Sequence, residues 1–333
     1  MNDKEKLRET QETLTHQDLT KVGEVDVSAL NTMLEVTGTY LQNFARYLYS
    51  NIYFFSASRN NNTYIIRFQL SSGTFVPKDY VILPSYGHGE SLEITDYNSS
   101  TDTYTIWIGE ETNSDGYSRH IARIKYQVTS SDPKGAIVVT GQTKIITGLI
   151  DAAEGTSGVT EFRSTVGISP SGDNRICFTT RRKVNNVAGI YNMVYDFSNL
   201  NSALDSASSP VALSSFLSYR KSLFWISKSS AYPNDSYQGE DISGSGSNGK
   251  LYISGGHTNE DSKINRFSYN ESNVYSLDKV YTIKTTTAPS GHDILNAEIE
   301  GIKIINEYSY DKMFIMFRAP GGANKFTVYK CSV

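Results

Sequence analysis

Four short segments carry the polar residues whose types and spacing could do chemistry. They are His88-Gly89-Glu90-Ser91-Leu92, Arg163-Ser164-Thr165-Val166-Gly167, Gln238-Gly239-Glu240-Asp241-Ile242 and Glu298-Ile299-Glu300-Gly301-Ile302. Each opens on a large polar side chain, places an acid or hydroxyl third, and sits beside β-type sequence. Their first residues fall at 88, 163, 238 and 298, a loose period of 60 to 75 residues. Brought together in a concave surface, such carboxylates, amides and cations would fix the orientation of a polar ligand. Two of the carboxyls about 5–9 Å apart across a glycosidic bond would instead supply an acid and a nucleophile or base. Glu90, Glu240 and Glu300 provide the ingredients, but Thr165 replaces the acid in the second copy, and nothing distinguishes acid from nucleophile.

The elements that must position these residues are strands. With 23 Tyr and 14 Phe against 8 Pro in 333 residues, the chain has strand-and-turn chemistry. Ile52-Tyr53-Phe54-Phe55-Ser56 and Thr63 to Leu70 read as a hairpin, and Ser91 to Ile94 with Thr103 to Ile108 as another. Further strands are expected over Arg119 to Tyr126, in two short pieces between Gly135 and Thr147, and at Arg175 to Thr179, Gly189 to Phe197, Lys250 to Ser254, Met313 to Phe317 and Phe326 to Lys330. A degenerate repeat among so many short strands predicts an all-β chain folded as a β-propeller. Five sections fit, although four copies leave one section without its own. The terminal Phe326 to Lys330 strand is expected to close the ring by pairing into the first section, because closure removes exposed sheet edges.

In a propeller the inner strands line a central channel. His88, Glu90, Arg163, Thr165, Gln238, Glu240, Glu298 and Glu300 would then converge at its mouth as a ligand-binding site, with Tyr86 and Tyr237 alongside. The plainer alternative is that these groups satisfy one another and the strand amides. Trp107, one strand after the first copy, is expected to be packing between sections.

A net charge of −4 excludes the basic footprint of a nucleic-acid binder, and Arg181-Arg182-Lys183 reads as a solvated loop. No segment approaches the roughly 20 apolar residues of a membrane span. Cys177 and Cys331 are expected to be free thiols in different sections. The histidines at 16, 88, 120, 257 and 292 lack zinc spacing, and no phosphate-binding loop or nucleophile elbow is present, so neither metal nor cofactor is expected.

Two domains are expected: a charged extension over residues 1–25, helical or flexible, and the propeller over 26–333. Leu7, Leu14 and Leu19 are the sparse apolar points of the extension, which would serve for self-association. Residues 28–50 read as helix in part and as strand in part, and Asn199 to Ser215 as an excursion with about one helical turn.

The wording and order of several segments resemble the helveticin J family of large bacteriocins. The likeness is clearest in Ala297-Glu298-Ile299-Glu300-Gly301-Ile302-Lys303-Ile304-Ile305-Asn306-Glu307. It extends to Gly87 to Ser91, His120 to Ile124, Ile168-Ser169-Pro170, Gln238-Gly239 and Leu251 to Ser254, spanning roughly residues 85 to 307. The resemblance implies a secreted or cell-surface antibacterial protein whose propeller binds a cell-wall glycan of Gram-positive bacteria, although residues 1–13 show no signal peptide. Two alternatives stand beside it. One is a glycoside hydrolase on the same scaffold; the other is a phage-type receptor-binding protein that recognises wall teichoic acid.

Overall fold

The computed structural model of the chain describes residues 10–36, 38–48, 50–60, 62–154, 163–170, 172–184, 187–320 and 325–333. Its strands form four hydrogen-bonded sheets; the largest divides at its one parallel junction, between Thr20–Val25 and Thr74–Pro84, so the strands fall into five groups, each mainly antiparallel. The first contains Leu41–Arg46, Ile52–Arg59, Asn62–Ser71 and Thr74–Pro84. The second contains Leu92–Asn98, Thr103–Thr112 and Ser118–Val128, with Lys144–Thr147 outside them. The third runs Arg163–Ile168, Arg175–Val184, Val187–Asp196 and Arg220–Ser227. The fourth runs Gly239–Ser243, Gly249–Gly255, Ser262–Tyr269 and Tyr275–Ile283. The fifth has Glu298–Glu307, Tyr310–Arg318 and Phe326–Ser332.

The first strand of each group lies innermost, and these five touch in a closed cycle. A Cβ at Gly239 would lie 3.2 Å from Gly301 Cα, and one at Gly301 would lie 3.0 Å from Asn43 Oδ1. Asn43 Nδ2 donates to the Glu90 carbonyl at 2.6 Å, Glu90 pairs with Arg163, and a Cβ at Gly167 would lie 3.3 Å from Asp241 Cα. This ring of sheets is the expected β-propeller.

The core is split into five layers, one between each adjacent pair of sheets. Met313, Ile315 and Phe317 pack against the fourth sheet, whereas Phe314 and Met316, alternating with them, pack against the first. Buried on both faces, such a strand reads as a continuous apolar run. Trp107 is buried against Phe178 and Phe197 in the layer between the second and third sheets, as its packing role requires. Cys177 and Cys331 are free and buried in separate sheets.

Closure differs from expectation. Phe326–Ser332 is the third strand of the fifth sheet, and the strand that completes the ring comes from the N-terminus. Thr20–Val25 pairs antiparallel with Phe326–Ser332 and parallel with Thr74–Pro84, bridging the last sheet to the first. Thr10–Leu14 adds in parallel to the outer edge of Tyr275–Ile283. The expected helical or flexible extension is therefore strand over 10–14 and 20–25, and residues 1–9 lie outside the described chain. Leu14 and Leu19 are the physical reason, since both are buried with Tyr281 and Ile283 in the layer between the fourth and fifth sheets. The segment expected to mediate self-association thus spends these described residues on the propeller's own edges.

Two further stretches resolve the mixed patterns. Residues 28–50 hold both a helix, Val27–Leu34, capped by Asp26 Oδ1 accepting from Ala29 N at 2.9 Å, and the inner strand of the first sheet. The excursion after the third strand of the third sheet is a ten-residue helix, Phe197–Ser206, anchored by buried Leu200 and Leu204. No helix among the described residues is long and apolar enough to cross a membrane.

Candidate functional site

The four repeated segments open the inner strands of the second to fifth sheets, so their polar residues meet at the entrance to the channel. They fall into two networks, with Glu90 near both.

In the first, Arg163 forms an ion pair with Glu90 and donates from Nη2 to the Tyr237 carbonyl at 3.0 Å. Its guanidinium stacks between the rings of Tyr117 and Tyr237, 4.7 and 4.8 Å from their centroids. The His88 ring lies 5.0 Å from that of Tyr117, extending the stack to the half-buried surface. Below, Thr165 Oγ1 and Tyr237 Oη donate to the two oxygens of Glu240 at 2.8 and 2.6 Å. Burial raises the Glu240 carboxyl above its ordinary value, against the hydrogen bonds from Tyr237 and Thr165. Burial and the adjacent Glu240 push the Tyr237 phenol far upward.

In the second, Gln238 Nε2 donates to Glu298 Oε1 at 2.8 Å, and Arg318 forms an ion pair with Glu298. Arg318 Nε also lies 3.0 Å from Glu300 Oε1, and its guanidinium stacks 5.4 Å from the ring centroid of Tyr40, which is 44% exposed. Glu300 is almost wholly buried. Burial drives its carboxyl up to about 8; Arg318 opposes this, and the charges of Glu298 and Glu90 reinforce it.

The structure thus brings together His88, Glu90, Arg163, Gln238, Glu240, Glu298 and Glu300, with Tyr237 and Thr165. Tyr86 stands apart: its ring packs on the core between the first and second sheets, its carbonyl accepts from Ser118 Oγ at 2.8 Å, and burial pushes its phenol to about 12. Tyr40, Tyr117 and Arg318 were not anticipated. Hairpin register alone does not find Arg318: a turn at Tyr308-Ser309 sets it opposite Ile299, and the bulge between Ile299 and Gly301 brings it opposite Glu298. Asn43 supplies the contact of the section that lacks a repeat copy.

At the opposite end of the channel, where the inner strands finish, lies a cavity of about 600 Å³. Its floor is the buried trio Glu93, Asp241 and Lys303. Elsewhere, Glu110, Glu111 and His120 hold carboxylate and ring atoms within 4.8 Å of one another, with Arg119 also on Glu111.

No family model and no curated protein sequence matches the chain. Among solved structures it is similar to an exo-1,5-α-L-arabinanase from a bovine ruminal metagenomic library, at 10% identity and a TM-score of 0.45, over 88% of this chain and 94% of that one. An endo-arabinase from Bacteroides thetaiotaomicron gives 10% identity and a TM-score of 0.43, over 89% and 93%. The Nup133 β-propeller domain of Vanderwaltozyma polyspora gives 10% and 0.37, over 84% and 68%. At that overlap none of the three carries a functional inference.

Proposed function

We propose that this chain is a carbohydrate-recognising propeller that binds a glycan on its channel-entrance face. One observation carries the reading: Glu298, Gln238 and Arg318 form a hydrogen-bonding group beside the exposed ring of Tyr40. An aromatic face next to an amide, a carboxylate and a guanidinium matches a sugar, which offers C–H faces and hydroxyls together. The resemblance to helveticin J makes the target a cell-wall glycan or teichoic acid of Gram-positive bacteria, met by a secreted or surface-held antibacterial protein. Incubation with purified Gram-positive walls tests this. Wild-type protein is retained, and Tyr40→Ala and Gln238→Ala are not; retention of both folded variants at wild-type level overturns it.

A second reading, glycoside hydrolysis, is favoured by Glu300. At about 8 it carries a proton at neutral pH beside a second carboxyl, Glu298, and a buried carboxyl held protonated at neutral pH is what a general acid requires. The same incubation separates the readings: soluble sugar released by wild type and lost in Glu300→Gln makes the chain an enzyme, whereas retention without release leaves it a binding module.

A further inference from the structure

Three arginines meet at the channel-entrance end of the third sheet. Arg163 of Arg163–Ile168 stands directly opposite Arg181 of Arg175–Val184, so both side chains leave one face of the sheet, and Arg182 leaves the other. Two of the three are neutralised, Arg163 by Glu90 and Arg182 by Glu154. No carboxylate pairs with Arg181 among the described residues. Its guanidinium lies 4.9 Å from the ring centroid of Tyr232 and 5.8 Å from that of Tyr237, beside the Tyr232 hydroxyl. Glu240, buried beside Tyr237, already accepts from Thr165 and Tyr237 on its two oxygens.

A second cation shares the same ring. The strand Arg220–Ser227 ends at this edge, with Ser227 opposite Gly189, and delivers Lys228 directly after it. Lys228 Nζ lies 5.8 Å from the Tyr232 centroid. Its acid among the described residues is Asp235, at 3.7 Å and 87% exposed, and so open a pair contributes little. Burial raises the Tyr232 phenol, and the charges of Arg181 and Arg163 oppose this; the ring therefore stays neutral and supplies a surface without a counter-charge. Arg181 is half-buried, and a cation partly withdrawn from water without a counter-ion favours whatever anion reaches it. A guanidinium also has five N–H donors, more than one phenol oxygen can occupy.

We propose, resting on the glycan reading above, that Arg181 and Lys228 form an anion subsite for an oxyanion substituent of that glycan, a phosphate or a carboxylate. The planar guanidinium takes two oxygens side by side, and the ammonium adds a point charge. Tyr232 and Tyr237 hold the guanidinium by stacking, so little side-chain freedom is lost when the anion binds. Tyr237 is followed directly by Gln238, which places the subsite next to the group that holds Glu298 and Arg318. The chain thereby selects acidic over neutral glycans, although its own net charge is −4.

Retention of the full chain on immobilised poly(glycerol phosphate), polygalacturonate and neutral dextran tests the subsite. At least one acidic polymer is expected to bind about tenfold more tightly than dextran, and which one does so tells phosphate from carboxylate. The preference should weaken as salt is raised. Arg181→Met and Lys228→Met should each remove most of it; the Lys228 side chain is 42% exposed, so that variant leaves the packing intact. Lys134→Met removes an exposed cation in the loop after Ser118–Val128 and should change nothing. Failure to bind either acidic polymer, equal retention on all three, acidic binding unchanged in both Arg181→Met and Lys228→Met, or an equal loss in Lys134→Met overturns the subsite. Wall retention lost in Tyr40→Ala would still uphold the glycan reading, so the two fail separately.

Discussion

Thr165 Oγ1 donates to Glu240 Oε1 across 2.8 Å, and the two residues hold the same place in consecutive copies of the repeat, 75 positions apart. The first-place residues of the next two copies meet likewise, through Gln238 and Glu298. At these two junctions, neighbouring inner strands are joined by a hydrogen bond between equivalent positions. Thr165→Val keeps the volume and deletes that bond. A buried carboxyl deprived of a donor costs about 1–3 kcal/mol, so urea denaturation should show a loss of that size. A change within about 0.5 kcal/mol, as at an indifferent surface site, would remove the link from the ring's stability.

The proton affinity of Glu300 turns into a pH dependence of folding. Its folded-state value of about 8 stands above the ordinary 4.5, so between those limits the folded chain binds a proton that the unfolded chain releases. Stability therefore falls as pH rises across that window, by up to about 1.4 kcal/mol per unit from this one group. Glu300→Gln removes the titrating group. Thermal midpoints recorded from pH 5 to 8 should decline less steeply in the variant than in the parent; parallel curves would refute the assignment.

Ring closure rests on the strand Thr20–Val25. Deletion of residues 1–25 bares one edge of Phe326–Ser332 and the facing end of Thr74–Pro84, and unpaired edges of this kind associate. A fall in thermal midpoint on the order of 10 °C, with aggregation, is expected. Gly23→Val should act the same way without shortening the chain, because a Cβ there would lie 2.7 Å from Leu70 Cδ1 and 3.0 Å from the Gly73 carbonyl. If the truncated chain unfolds at the parent's temperature and stays monomeric, the last sheet does not need its fourth strand.

The sequence disclosed the inner strands through their polar openings, and it disclosed the hairpins through alternation around turns. The section without a copy was hidden because its contact residue, Asn43, is neither acid nor large cation, and because a helix immediately precedes it. The N-terminal strands were hidden for another reason. Thr10–Leu14 is a sheet-edge strand and Thr20–Val25 a bridge between two sheets, and both are exposed or half-buried along much of their length, so their composition resembles that of a solvated extension. Only Leu14, Leu19 and Val25 report their burial. At the site, repeat spacing could reach residues on inner strands alone. Tyr40, Tyr117 and Arg318 lie outside the repeated segments, where only the fold brings them in.

Arg318 is the residue on which the entrance face turns, since one guanidinium holds Glu298, approaches Glu300 and covers Tyr40. A planar fork can contact two carboxyls while stacking on a ring; an ammonium cannot reproduce that set. Arg318→Lys should therefore keep the charge and fold yet weaken retention on purified cell walls about tenfold, with Arg318→Met weaker still. Loss of the opposing cation should also move the Glu300 titration upward in Arg318→Met, which carboxyl-resolved NMR would detect. Wall retention equal to the parent's in both variants, with the Glu300 shift present, would show that Arg318 organises the carboxyls without organising the ligand.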